Sequence, residues 1–578
     1  MHHEPADSSS KKFWWFAGFA LCLPLAWFLY QLFGPNDEII VSPETTVITE
    51  PLRRDGLPDY ARYFYELGHE GVTPENNGAV EFWQAMWPGD LDPNDWQAMC
   101  DALGMEIPAE DSGLEPPYSR KLQKEIAVQL TEHYKKTLES PALEDLTRDE
   151  TQSFIQQTLA DEAIGEAMEH PWRTEQLPAM GEWIQRYEKQ LDLLVEASNK
   201  PKYWSPSPSL LGNNFSGLIT VLLPGIQNMR NAARGLNARA MWNLGEGRNE
   251  AAWADLLACH RLARFLSQDP TLVGQLVAIA IDGITCPKTV ILLHASNTDA
   301  QSARQILREL TEMGPASNIV RSLDTGERLM FTDLIIGLAT QRDTLSSLTG
   351  AGPGQVSFDP LTLVSIDWNY VLREGNRWYD QLVAAARKPT RAERKAAFDQ
   401  FDADVNQTAT RSSNPFRLLG GVVSTKGRSQ ILADTMAGLM LPALDAAYQA
   451  EVRGLVLLEL TRVAAALAVY RAEHGEYPEQ LAALVPDVLP EMPLDLYSDE
   501  PFKYERKPDG GYLLYSVFTN GKDDGGLSYD GEIVAGEWVS KQADLDYLNS
   551  DVVFRVPVPD FKLPDFPVEE DTVANPVE

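Results

Sequence analysis

Apolar positions along the chain fall into four regimes. The first is an unbroken run from Phe13 to Phe33, FWWFAGFALCLPLAWFLYQLF, which carries no charge. At about 1.5 Å per residue a helix of this length spans roughly 30 Å, the hydrocarbon thickness of a bilayer. Trp14, Trp15, Trp27 and Tyr30 lie towards its ends, as an interfacial aromatic belt does. Lys11 and Lys12 precede the run, and Asp37 and Glu38 follow it. The positive-inside rule then predicts a signal anchor: residues 1–12 a cytoplasmic tail, 13–33 a single transmembrane helix, the bulk of the chain extracytoplasmic. A cleaved signal peptide lacks its small-x-small site here, and Leu21 before Cys22 is too bulky for lipoprotein processing.

The second regime is polar and aperiodic. Residues 34–58, with VSPETTVITEPLRRDGLPDY, predict an extended linker or edge segment.

The third regime has helical period. Residues 59–345 predict a helical region, beginning with short amphipathic helices interrupted by Pro74, Pro88 and Pro93. IQNMRNAARGLNARAMWNLGEGRNEAAWADLLACHRLARFL reads as two alanine-rich helices around a turn at Gly245 and Gly247. Ala240, Gly247 and Ala252 make this hairpin resemble one tetratricopeptide unit. The aromatic positions of that family are missing and no regular repeat runs along the chain, so generic hairpin packing is expected. TLVGQLVAIAIDGITCPKTVILLHA is apolar almost all round, but Gln275, Asp282 and Lys288 interrupt it, which predicts a buried core helix rather than a second span. A glycine-rich loop at 346–365 lacks the Lys-Ser/Thr pair of a phosphate loop, and a further helical region covers 366–450.

The fourth regime changes period. After a long helix ending near Gly475, Pro478 opens a short helix, and FKYERKPDGGYLLYSVFTNG alternates like two strands joined at Pro508-Asp509-Gly510-Gly511. The ordered series Tyr470, Gly475, Tyr477, Pro478, Leu481, Leu484, Pro493, Asp495, Pro501, Tyr504, Ser516, Gly521, Gly525 and Gly526 resembles the head domain of type II secretion major pseudopilins. That resemblance implies a small C-terminal α+β module over residues 451–540, reused outside the membrane. Glu451, Arg453, Glu459 and Arg462 keep its helix from being a membrane stem. It also implies a calcium loop, with Asn520, Asp523, Asp524 and Asp530 as oxygen ligands. Asn520 stands where the family has aspartate, and the loop is one residue longer, so the alternative is that these side chains only solvate a turn. Residues 541–578, acidic and proline-rich, predict an extended tail. The longer chain resembles large anchored proteins of planctomycete-type bacteria, which implies an envelope location. The fold class is therefore mainly α, with a small α+β end.

Composition narrows the functions. A formal charge of −35 repels phosphate backbones and argues against nucleic-acid partners. Four cysteines form no CxxC pair; Cys259 and Cys286 are expected as buried free thiols. Eight histidines include no HExxH or HxH, and there is no G-x-S-x-G elbow. The expected function is a membrane-anchored scaffold that contacts other envelope proteins. An extracytoplasmic hydrolase with a dispersed site, and a secretion accessory that docks pseudopilins, stand as alternatives.

Overall fold

The computed structural model describes residues 30, 34–89, 91–137, 149–207, 218, 225–295, 298–340, 365–412, 424–440, 443–519, 521–526, 531–534, 537–540 and 551–566. The segment 13–33, apart from Tyr30, and most of the loop 346–365 lie outside them. The described chain is mainly helical with small antiparallel sheets near its end.

Two hydrophobic clusters organise the helices. The first, against which Tyr65 of α1 (Tyr60–His69) packs, draws on α2 (Ala79–Met86), α3 (Arg120–Thr137) and α4 (Glu188–Ser198). It continues through α5 (Ile226–Gly245), α6 (Asn249–Leu266), α7 (Leu272–His294) and α8 (Ala300–Met313). The α5–α6 hairpin turns where expected, at Gly247, whose φ of 77° suits a residue without Cβ. The second cluster holds α9 (Arg328–Ala339), α10 (Trp368–Ala386), α11 (Arg391–Ser412) and α12 (Thr425–Met440), with Tyr60 and Phe64 of α1.

Helix α13 (Ala443–His474) serves both. Ala447 is buried in the second cluster, Val456 to Val469 in the first, and Tyr448 packs against both. It lies on α7 and α8, approaching α7 most closely at Gly454, where a Cβ would meet the Ile279 side chain at 3.1 Å. Basic side chains hold the helix ends together. Arg462 of α13 and Arg264 of α6 donate to Leu310 O (2.9 Å) and Gly314 O (2.7 Å), carbonyls at the C-terminus of α8 that have no partner within their helix.

Helix α7 is the one described helix long and apolar enough to cross a bilayer, and 67% of its most apolar window is buried in the protein. Its charges are paired: Lys288 Nζ with Glu169, and Asp282 with Arg264. It is a core helix, as its polar interruptions predict.

After α13 the chain builds the expected α+β module. Gly475 takes φ 84°, a 3₁₀ turn covers Leu481–Leu484, and β1 (Leu494–Asp495) pairs with β2 (Glu500–Pro501). β3 (Lys503–Arg506) pairs antiparallel with β4 (Tyr512–Ser516). β5 (Gly531–Val534) and β6 (Glu537–Ser540) make a separate hairpin.

Two expectations are corrected. Within the stretch read as a loose tail, β7 (Val552–Val556) pairs antiparallel with β4, which makes β4 the central strand. Val552, Phe554 and Val556 alternate inward, and burial of those three side chains fixes the strand despite the surrounding prolines. Beyond it, Tyr134 Oη of α3 donates to Pro564 O at 2.9 Å and Phe561 is buried, so residues 551–566 strap the module back onto the helical body. The 34–58 stretch is likewise no free linker. Asn369 of α10 exchanges bonds with Glu38 O and Ile40 N, both at 2.8 Å, and Asn376 donates to Glu44 O and Thr45 O at 3.0 Å.

Candidate functional site

The glycine- and aspartate-rich loop expected to hold calcium leaves β4, so the module's frame decides where it sits. Asp495, 1% exposed, accepts from Ser516 Oγ at 2.8 Å, Val517 N at 3.1 Å and Tyr497 N at 2.9 Å. One carboxylate thus ties the β1 turn to the end of β4. Tyr504 Oη donates to Pro478 O at 2.7 Å and ties β3 to the turn after α13.

Of the four residues implied as ligands, Asn520 and Asp530 lie outside the described residues; Asp523 and Asp524 lie inside. Asp523 Oδ1 accepts from Tyr515 Oη at 2.7 Å and from Gly525 N at 3.1 Å, and the Tyr515 bond, first among its causes, holds its carboxyl below the usual range. Gly525 and Gly526 take φ of 75° and 72° and turn the chain sharply.

The structure adds a residue that sequence reasoning missed. Asp551, immediately before β7, is 4% exposed. Its Oδ2 accepts from Gly526 N at 2.9 Å and the Asp524 backbone also bonds the carboxyl, while Oδ1 is buried with no hydrogen-bond partner among the described residues. Burial, then the neighbouring Asp524 and Asp523 charges, push its carboxyl up to about 6. Asp551 was passed over because it falls in the stretch read as tail; the alternating VVFRV that follows was the available signal.

As they stand, no three His, Cys, Asp or Glu side chains among the described residues are close enough to hold a metal. The oxygens at this loop are nonetheless of the hard kind that calcium takes. Calcium takes six to eight oxygens from carboxylates, carbonyls and water. A buried carboxylate oxygen without a partner is a costly feature that such an ion relieves directly. Asp551 and Asp523 would hold it, with Asp524 alongside.

Folding also assembles an arrangement that no local motif announces. His260 Nδ1 lies 2.7 Å from Asp282 Oδ1, and Nε2 lies 3.1 Å from Thr289 Oγ1. Asp282 and Thr289 are seven apart on α7, two turns, and so share the face that meets α6. Burial alone would push Asp282 up, but Arg264 and then His260 outweigh it and hold the carboxyl below the usual range. A hydroxyl, imidazole and carboxylate in this order are the parts of an acyl-transfer triad. Here His260 and Thr289 are both 0% exposed and Asp282 is 2% exposed. The void beside Asp282 has roughly the space of one water, about 10 Å³. No carbonyl substrate reaches Thr289 Oγ1 in this structure, and the three side chains act as a satisfied polar core. Cys259, adjacent in sequence, points elsewhere: Asn237 Nδ2 lies 3.4 Å from its sulfur, and burial raises its thiol far above the usual range.

A larger cavity, about 480 Å³, opens between α1, residues 201–207 and the end of α6. Trp83, Trp204 and Phe265 form walls, and Lys202, Asp269 and Arg321 stand at it. Lys202 Nζ donates to Glu70 O at 2.8 Å and Asp269 Oδ1 accepts from Thr271 N at 2.7 Å, so both serve the local backbone. Neither histidine nor cysteine lines it.

No family model matches the chain, and no curated protein or solved structure matches it.

Proposed function

We propose that this protein is a membrane-tethered interaction protein of the bacterial cell envelope, anchored through residues 13–33, whose terminal module takes up calcium to stiffen the surface it offers to other proteins. The observation that carries the calcium part is Asp551 Oδ1, a buried carboxylate oxygen with no partner beside the acidic loop. A turn that merely solvates aspartates has no reason to bury one of them with an oxygen left unmet. The interaction part is supported by how firmly the module is held: α13 runs through both clusters, and residues 551–566 return to α3. Such an arrangement fixes the direction in which the loop is presented. The apolar run at 13–33 and the charge asymmetry around it support the tether. Against a hydrolase stands the sealed hydroxyl of Thr289.

A photo-crosslinking side chain in place of Lys522, on the acidic loop, tests this in living cells. Crosslinks to envelope proteins are expected in calcium-containing medium and should fade with a chelator; a pseudopilin among them would specify a secretion role. A folded protein whose crosslinks are indifferent to calcium would contradict the proposal.

A further inference from the structure

The sequence KPTRAERK, Lys388 to Lys395, enters helix α11 with its charges the wrong way round. Thr390 and Glu393 already cap that helix: Thr390 Oγ1 accepts from Glu393 N, and Glu393 Oε2 accepts from Thr390 N, both at 3.2 Å. Arg391 and Arg394 then add two cations at the positive end of the helix dipole, where a positive charge costs about 0.3–1 kcal/mol. Their neighbours are neutralised, Arg387 by Asp324 and Lys395 by Asp399, each at 2.8 Å. Arg391 forms no ion pair among the described residues. Its guanidinium carbon lies 5.1 Å from the centre of the Tyr497 ring. Arg394 donates only to neutral oxygens, Tyr448 Oη at 2.9 Å, Lys388 O at 2.8 Å and Pro389 O at 3.1 Å. Neither arginine has a carboxylate partner among the described residues, in a chain with 84 acidic and 49 basic residues.

They face a cavity of about 250 Å³ between α11, α13 and the module, bounded also by Tyr448, Glu451, Leu455 and Leu496. Glu451 is the one acid in its wall. Its Oε1 is occupied by Ile319 N at 3.0 Å, and burial raises its carboxyl, which weakens its claim on the arginines. Beside Leu496, Tyr497 is 3% exposed, and its hydroxyl is buried with no partner. Burial raises that phenol, the Arg453 and Arg391 charges pull it down, and Asp495 pushes it up. A buried hydroxyl with no partner and two guanidinium groups with no ion pair among the described residues, in one neighbourhood, are what an anion would satisfy.

We propose that this pocket binds a phosphoryl group, carried by a soluble phosphate monoester or by a lipid headgroup. A planar carboxylate is satisfied by one guanidinium fork, whereas a tetrahedral phosphoryl group takes donors from several sides; Arg391 and Arg394 line the cavity, and Tyr497 follows the lining residue Leu496 with its ring 5.1 Å from the Arg391 guanidinium carbon. Because α11 belongs to the second cluster and Tyr497 to the module, the bound group pins one to the other.

The test uses the full chain in neutral detergent at fixed chloride, titrated calorimetrically with inorganic phosphate, glycerol phosphate, short-chain phosphatidylglycerol and acetate. Saturable binding of at least one phosphoryl compound, tighter than acetate, is expected. Glycerol phosphate alone would mark a soluble source, and phosphatidylglycerol alone a lipid one. Arg391→Gln should weaken binding about ten- to a hundredfold, the range for losing bonds to a charged group. Tyr497→Phe removes an unpartnered hydroxyl, so the variant should melt no lower than the parent without ligand, yet bind about three- to tenfold more weakly. No saturable binding of any phosphoryl compound, acetate binding equally well, or unchanged affinity in both variants would overturn the assignment.

Discussion

Arg471 closes the end of the core helix on which His294 is the last residue. Its Nη1 donates to His294 O at 2.9 Å and lies 3.1 Å from His294 Nδ1, while Nη2 reaches Leu293 O at 3.3 Å and Ala295 O at 3.2 Å. The same Nη1 is 3.0 Å from Tyr477 Oη, the first buried side chain of the module. One guanidinium thus caps α7, whose last carbonyls have no partner within the helix, and joins it to the turn that starts the α+β unit.

Replacing it should loosen body from module. Arg471→Met leaves several buried acceptors unmet and is expected to cost about 2–4 kcal/mol. Scanning calorimetry should then show the single melting transition split or broaden, and limited proteolysis should cut near Gly475. Arg471→Lys, which keeps the charge but not the fork, should recover only part of the loss.

The pH response follows from two groups with opposite signs. Burial, then Arg471, lowers His294 to about 4, so it is neutral when folded and accepts from Arg471. In the unfolded chain a histidine takes its proton near pH 6.5, so His294 costs stability progressively as pH falls from 6.5 towards 4. Glu327 is pushed up to about 6, chiefly by burial, and takes a proton in the folded state first. It therefore adds stability as pH falls from 6 towards 4.5. Relative to the parent, His294→Gln should gain melting temperature on acidification from pH 7 to 4.5, and Glu327→Gln should lose it. Parallel slopes for both variants would contradict these assignments.

Much of the helical body was legible in the sequence, because apolar spacing and turn residues are local signals. Gly247 between two alanine-rich runs and the polar breaks in α7 told of a hairpin and a buried helix before any contact was known. The long-range ties were not legible. Nothing near Glu38 or Thr45 announces that Asn369 and Asn376, more than 300 residues away, will bind their carbonyls. β7 hid behind composition: three inward side chains decide its place, while prolines and acids around them suggest a tail. Asp551 lies just before that strand, so one of the three described acids of the site depends on a pairing that the short alternation VVFRV only hints at.

The buried Thr289–His260–Asp282 chain should behave as structure. Thr289→Val removes two hydrogen bonds, to His260 Nε2 and Thr285 O, and is expected to cost about 1–3 kcal/mol, whereas His260→Ala leaves Asp282 short of a partner and opens a cavity, costing about 3–5 kcal/mol. Thermal melts measure both. A fluorophosphonate probe should leave Thr289 unmodified in the native protein; stoichiometric labelling at that residue, mapped by mass spectrometry, would restore the hydrolase reading.

The central question is whether the unpaired oxygen of Asp551 is there for an ion, and calorimetric melting of the full chain with and without calcium answers it, using Asp551→Asn beside the parent. The parent is expected to melt higher with calcium, and to lose that gain as pH drops below about 6, where Asp551 becomes protonated. The variant, relieved of an unpaired buried charge, should melt higher than the parent without the ion and show no response to it. A parent indifferent to calcium at neutral pH, or a variant that responds as the parent does, would contradict the account.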